Sequence, residues 1–142
     1  MIFKILVPLV LGVGVAHAAE AKRPVDFVLL KNVDSSIVLE IRYAGDHNFL
    51  GRPAKGYKAP ACWLTTNAAT ALAAAQAELR KFGLSLKVYD CYRPQRAVND
   101  FAAWAKDLKD VKMKKEFYVH VDKTTLFRDG YIAAKSGHTR GS

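Results

Sequence analysis

The alanine-rich run from Thr66 to Phe82, stopped by Gly83 and followed by a short alternating segment, constrains the fold of this chain more than any other feature. Ala68, Leu72, Ala75, Leu79 and Phe82 recur at the spacing of one buried helix face, while Gln76, Glu78 and Lys81 fall elsewhere. Alanine favours helix intrinsically, and a glycine at position 83 is placed to end it. Leu84, Leu86 and Val88 then alternate with Ser85, Lys87 and Tyr89, the pattern of a half-buried strand. A second helix is expected to take Pro94 as its first residue, because a fixed φ and a missing N–H suit that position. Its buried stripe would be Ala97, Phe101, Trp104, Ala105 and Leu108. Asp26 to Leu30 and Ile37 to Tyr43 read as short strands around a turn at Asp34-Ser35-Ser36, and Gly130 to Ser136 as a further one. Residues 44–62 read as a long loop of functional or flexible character, and Lys106 to Lys115 as a charged connector. The expected class is α+β, a small antiparallel or mixed sheet with helices packed on one side.

The first eighteen residues stand apart from that fold. Lys4 supplies a positive start, Ile5 to Val15 an apolar stretch, and Ala16-His17-Ala18 a small-x-small cleavage pattern. The stretch is short against the roughly 20 apolar residues of a membrane span. It therefore reads as a secretory signal peptide cleaved after Ala18, and the working protein as exported and periplasmic. Residues 19–142 are enough for a single domain with its own core.

Loss of Lys4 lowers the formal charge from +9 to +8, which suits an anionic setting such as a cell wall, a membrane surface or nucleic acid. The basic residues are spread along the chain. Lys112, Lys114 and Lys115 form the densest run, without the interleaved aromatics of a nucleic-acid groove, so a solvated face is expected and no nucleic-acid partner. Cys62 and Cys91 lie in a chain bound for an oxidising compartment, where pairing competes with two isolated thiols and is favoured. Closing a loop of about 30 residues would constrain the unfolded chain by roughly 3 kcal/mol.

Three places carry chemistry. Arg93, in Asp90-Cys91-Tyr92-Arg93-Pro94, stands between a strand and a helix and could offer paired hydrogen bonds to a carboxylate or a developing oxyanion. Asp90 is either a turn residue or the group that orients it. His138, in Ser136-Gly137-His138-Thr139-Arg140-Gly141, is flanked by glycines that allow close backbone approach, which suits a metal ligand. Tyr43 either points its hydroxyl into a site or packs at a strand end. His47 and His120 lack ligand-like spacing to His138 and read as structural or surface residues.

Read together, these residues resemble the D-alanyl-D-alanine dipeptidase family, which contains the VanX-type enzymes. The likeness runs from about Ile37 to Ser142. It includes Arg42-Tyr43-Ala44, Asn48-Phe49-Leu50-Gly51 and Tyr57, then Leu86 to Val98 around Tyr92-Arg93-Pro94, and Phe101-Ala102-Ala103-Trp104. It closes with Asp122-Lys123, Leu126-Phe127, Gly130-Tyr131-Ile132-Ala133 and Ser136 to Ser142. The resemblance implies zinc-dependent hydrolysis of the D-Ala-D-Ala dipeptide. In it His138 falls on a zinc ligand and Arg93 on the residue that stabilises the tetrahedral transition state. Ser136 falls near the bound dipeptide and Tyr43 on a segment bordering the pocket. Zinc would polarise the scissile carbonyl and activate a water, with a Glu as general base.

The sequence departs from the family pattern as well. The motif's Asp ligand would stand seven positions after His138, at position 145, and the later segment bringing the catalytic Glu and a second His ligand does not occur in these residues. The expectation is thus a C-terminally incomplete dipeptidase domain whose 142 residues bind zinc weakly, are inactive, and are unstable or aggregate. Val119-His120 replaces an expected Pro-Asn, and Cys91 an expected Gly or Ala. Two other readings compete: an exported, non-catalytic fragment that binds wall peptides, and a related D,D-carboxypeptidase that trims longer ones.

Overall fold

The computed structural model describes residues 26–142, so the signal segment expected at 1–18 lies outside the described residues. In chain order the elements are β1 (Phe27–Leu29), α1 (Leu30–Val33), β2 (Val38–Leu39), a 3-10 turn at Arg42–Ala44, β3 (Trp63–Thr65) and α2 (Thr66–Arg80). There follow β4 (Lys87–Val88), α3 (Gln95–Lys106), α4 (Lys114–Phe117) and two further 3-10 turns, Lys123–Thr125 and Gly137–Arg140. The class is α+β. Its strands form two separate ladders, β1 antiparallel to β3 and β2 parallel to β4.

Two apolar clusters organise these elements. Leu30, Ile37, Ile41, Cys62, Ala69 and Cys91 pack between the ladders and α2. Leu50, Ala54, Ala97, Phe101, Trp104, Ala105, Tyr118, Leu126 and Ile132 pack around α3 and the loops that face it. Tyr57 packs against both, and so lies at the seam. The two cysteines are joined as a disulfide with their Cα atoms 5.2 Å apart, as favoured from the sequence.

The alanine-rich helix forms but ends at Arg80. Gly83 terminates it in a left-handed conformation, φ 71°, with Gly83 N–H donating to Arg80 O and Leu84 N–H to Leu79 O. The buried face differs from the expected stripe. Phe82 lies beyond the helix and is 77% exposed, Ala75 is exposed, and Ala69 and Gln76 are the buried residues. Gln76 is turned inward because polar partners await it: Nε2 donates to the Ser36 and Ser85 hydroxyls, and Oε1 accepts from Leu86 N–H at 2.8 Å.

Other expectations are corrected by local geometry. Pro94 is the cap of α3 rather than its first residue, since its ψ of 145° is extended while its carbonyl accepts from Ala97 N–H. Leu108 falls past the end of α3 and is exposed, whereas Ala97, Phe101, Trp104 and Ala105 are buried as expected. Of Ile37 to Tyr43 only Val38–Leu39 is strand, because the chain turns at Arg42–Ala44. Residues 130–136 form no strand. Gly130 takes φ 76° and Ile132 N–H returns to Leu126 O, which folds the segment back on itself instead of beside a partner strand. Among the described residues no helix is long and apolar enough to cross a membrane.

Candidate active site

The segment after β4 supplies the site. Residues 90–94 connect β4 to α3 outside any ladder or helix. Cys91 is buried in the core and bonded to Cys62, while the Asp90 carboxylate meets the Arg93 guanidinium three residues on. Arg93 Nε and Nη2 donate to Asp90 Oδ2 at 2.9 and 2.7 Å. Asp90 Oδ1 accepts from the Tyr57 hydroxyl at 2.5 Å and from Cys91 N–H at 3.0 Å. Asp90 is therefore the orienting carboxylate, not merely a turn residue. The pair is sheltered, with side-chain exposures of 17% for Arg93 and 9% for Asp90, a setting where charge pairing is stronger than at a wet surface.

Aromatic rings complete the seat of the guanidinium. Its carbon lies 5.3 Å from the Tyr43 ring centre and 4.9 Å from that of Phe101. Tyr43 itself packs on Phe49, Tyr57 and Phe101, so its ring is a platform for Arg93. Burial works against the Arg93 charge, but Asp90 outweighs it and the guanidinium is held above its ordinary pKa. Burial, reinforced by the bond to Asp90, pushes the Tyr57 phenol far above its usual range, which keeps its proton on the donor oxygen. Burial likewise raises Tyr43.

His138 arrives from the other end of the chain. The Gly137–Arg140 turn is capped by Ser136, whose hydroxyl accepts from His138 N–H at 3.3 Å, and His138 O accepts from Arg93 N–H at 3.1 Å. The imidazole Nδ1 lies 3.0 Å from Cys91 O and 3.7 Å from Asp90 Oδ2. A carbonyl can only accept, so Nδ1 is the donor of that bond, and Nε2 is the nitrogen that a neutral ring would offer as an acceptor or ligand. That is how a metal-binding imidazole is usually oriented. Gly141, at φ 69°, closes the turn against Phe27, where an added Cβ would come within 2.3 Å of Cε1. Gly141 O also accepts from Thr65 N–H at 2.8 Å.

Arg93 and Ser136 thus line one cavity of about 110 Å³, together with Val98, Phe101, Tyr131 and Lys135. The structure brings together Arg93, Tyr43, Ser136 and His138. His47 lies apart, its Nε2 2.5 Å from Glu116 Oε1 at the surface, and His120 lines a separate cavity with Leu108 and Val111. Among the described residues no three His, Cys, Asp or Glu side chains stand close enough to hold a metal ion.

The loop of residues 44–62 is ordered by polar groups that pattern reading missed. Asn48 Nδ2 donates to the carbonyls of Arg42, Gly45 and Arg52, and its Oδ1 accepts from Leu50 N–H. Asp100 of α3, 2% exposed, takes Arg52 in a two-pronged pair at 2.7 and 3.0 Å and accepts Lys55 N–H at 3.0 Å. Burial raises the Asp100 carboxyl, but the Arg52 and Lys55 bonds outweigh it and hold it below the ordinary carboxylate value. One signal was available. Asp100 stands three residues after Ala97, on the stripe itself, where an unpaired charge would not be buried.

A sheltered guanidinium held by a carboxylate, beside an imidazole anchored through Nδ1, is equipped to receive a carboxylate or an oxyanion. Residues 23–142 match the family model described as D-ala-D-ala dipeptidase. The chain belongs to that family. It is 37% identical over 117 residues to the D-alanyl-D-alanine dipeptidase of Streptomyces coelicolor, covering 82% of this chain and 58% of that one. It is 34% identical over 118 residues to that of Enterococcus faecium, covering 83% and 58%. The Enterococcus faecalis protein of the same name is 34% identical over 116 residues, covering 82% and 57%. The chain therefore spans somewhat more than half the length of these curated relatives.

Proposed function

We propose that this protein hydrolyses the D-Ala-D-Ala dipeptide with zinc, in an exported, periplasmic setting. The observation that carries the reading is the convergence of Arg93, oriented by Asp90 and Tyr57, with a His138 whose Nδ1 is already engaged by Cys91 O. His138 Nε2 would be one zinc ligand. Zinc, when bound, supplies polarisation of the scissile carbonyl and an activated water. Arg93 meets the charge that develops on the carbonyl oxygen, an interaction made mainly in the transition state. Ser136 lines the same cavity and borders the dipeptide, while Tyr43 bears on it from beneath Arg93.

A single imidazole holds zinc weakly, since a catalytic site normally has three protein ligands. On this reading His138 must be joined by further donors. The test begins with the nucleotide sequence past the codon for Ser142 and expression of whatever it encodes. An Asp at position 145 with a later Glu and His, and zinc-dependent dipeptide hydrolysis lost with a chelator, support the reading. Arg93→Ala is expected to lower kcat about 100-fold or more. Binding of the dipeptide without turnover would favour a non-catalytic wall-peptide module, and preference for a pentapeptide a carboxypeptidase.

A further inference from the structure

We propose that the Cys62–Cys91 disulfide is a positioning element of the site, fixing the two peptide units that hold Asp90 and His138 in place. Cys91 N–H donates to Asp90 Oδ1 at 3.0 Å, and Cys91 O accepts from His138 Nδ1 at 3.0 Å. One residue thus touches the carboxylate that aims the guanidinium and the imidazole beside it, and its own side chain is bonded to Cys62. This proposal rests on the reading of Arg93 and His138 as working groups.

The surrounding backbone shows why a covalent tie matters at this point. The β2–β4 ladder runs out before the site, its last bond being Arg42 N–H to Tyr89 O at 3.3 Å. Beyond it, Tyr92 N–H reaches Trp63 O at 2.9 Å and Arg93 N–H reaches His138 O at 3.1 Å. The second of these leads back to the segment that needs positioning. Anchorage from outside the site therefore comes through Trp63 and, directly before it, Cys62. Cys62 is held in turn, since its carbonyl accepts from Leu30 N–H at 3.0 Å. Both cysteines are buried, at 1% and 4% exposure, so the bond is a permanent fixture of the folded protein rather than a surface switch. Turning the peptide unit after Cys91 would carry the acceptor of His138 away, and a displacement of about 1 Å can lower a rate by as much as about 100-fold.

The test is site-resolved amide hydrogen exchange on the oxidised chain and on the Cys62→Ala/Cys91→Ala variant. Exchange at residues 91, 92 and 93 is expected to rise about tenfold, while amides of α3 from Phe101 to Ala105 change by less than about twofold. Equal acceleration everywhere would make the bond a general cross-link and overturn the proposal, as would unchanged exchange at 91–93. Should the variant not fold, the wild-type chain is refolded in reductant, with both thiols in place and unmodified, and read in the same way. Unfolding there as well overturns the proposal, because a positioning role leaves the fold intact. Exchange needs no turnover, so a failure to hydrolyse the dipeptide counts against the proposed function and not against this result. Where hydrolysis is seen, kcat should fall about tenfold in the variant with KM within about twofold.

Discussion

The two apolar clusters are built by different means. Around α2 the chain satisfies its backbone in ladders, with β1 on β3 and β2 on β4, and a disulfide ties them. Around α3 there is no ladder among the described residues, and the loops facing the helix are held by side chains instead. Asn48 gathers three carbonyls, Asp100 grips Arg52 and Lys55, and Lys123 Nζ donates to the carbonyls of Asp107 and Asp110 over the Trp104 ring. The first region spreads its polar satisfaction over many backbone bonds. The second concentrates it in a few side chains, each of which matters more when lost. The site lies between them, with Arg93 aimed by groups from both.

That contrast can be broken in graded steps, each read as unfolding free energy in denaturant. Trp104→Ala should cost most, about 4 kcal/mol, because it empties the ring packed on Phe49 and Tyr118 at the centre of the loop-built cluster. Asp100→Ala should cost about 2 kcal/mol, because the Lys55 N–H is left unpaired while Arg52, 39% exposed, is partly taken up by solvent; a loss under about 1 kcal/mol would mean the loop holds itself.

The same residue sets a pH dependence. Its folded pKa lies below the unfolded value, so its contribution is complete above the ordinary carboxylate range and fades as pH falls through the folded pKa. Acid titration of stability should therefore lose a step in Asp100→Asn, and an unchanged acid limb would argue against the clamp. In the ladder region Gln76→Ala should cost about 2 kcal/mol, since Leu86 N–H loses its acceptor. Phe82→Ser should change stability by less than about 0.5 kcal/mol, because the ring is exposed.

The ladder region was the more legible in the sequence. The helix following Thr65, its glycine stop and the strand character near Val88 follow from local periodicity, and local bonds dominate there. Its failures, Gln76 inward and Phe82 outward, arise because tertiary partners at Ser36 and Ser85 override a stripe drawn from hydrophobicity alone. The α3 stripe was legible through Trp104 and Ala105, but the loops around it were not. Asn48 and Arg52 act through partners distant in sequence or through carbonyls that composition does not mark. At the site, Arg93 and His138 stood out by motif. The role of Tyr57 did not, since one hydroxyl reaching Asp90 from a different loop leaves no periodic trace.

Gly141 gives the site a place in time as well as in space. Its carbonyl rests on Thr65 and its α-carbon on the Phe27 ring, so the turn that presents His138 is seated against the first strand described. The contact with Phe27 joins opposite ends of the described chain, and contacts so distant along a polypeptide slow its folding. As synthesis proceeds, Asp90 and Arg93 are made long before the imidazole that faces them. The imidazole of His138 is in place only when its turn is seated against Phe27.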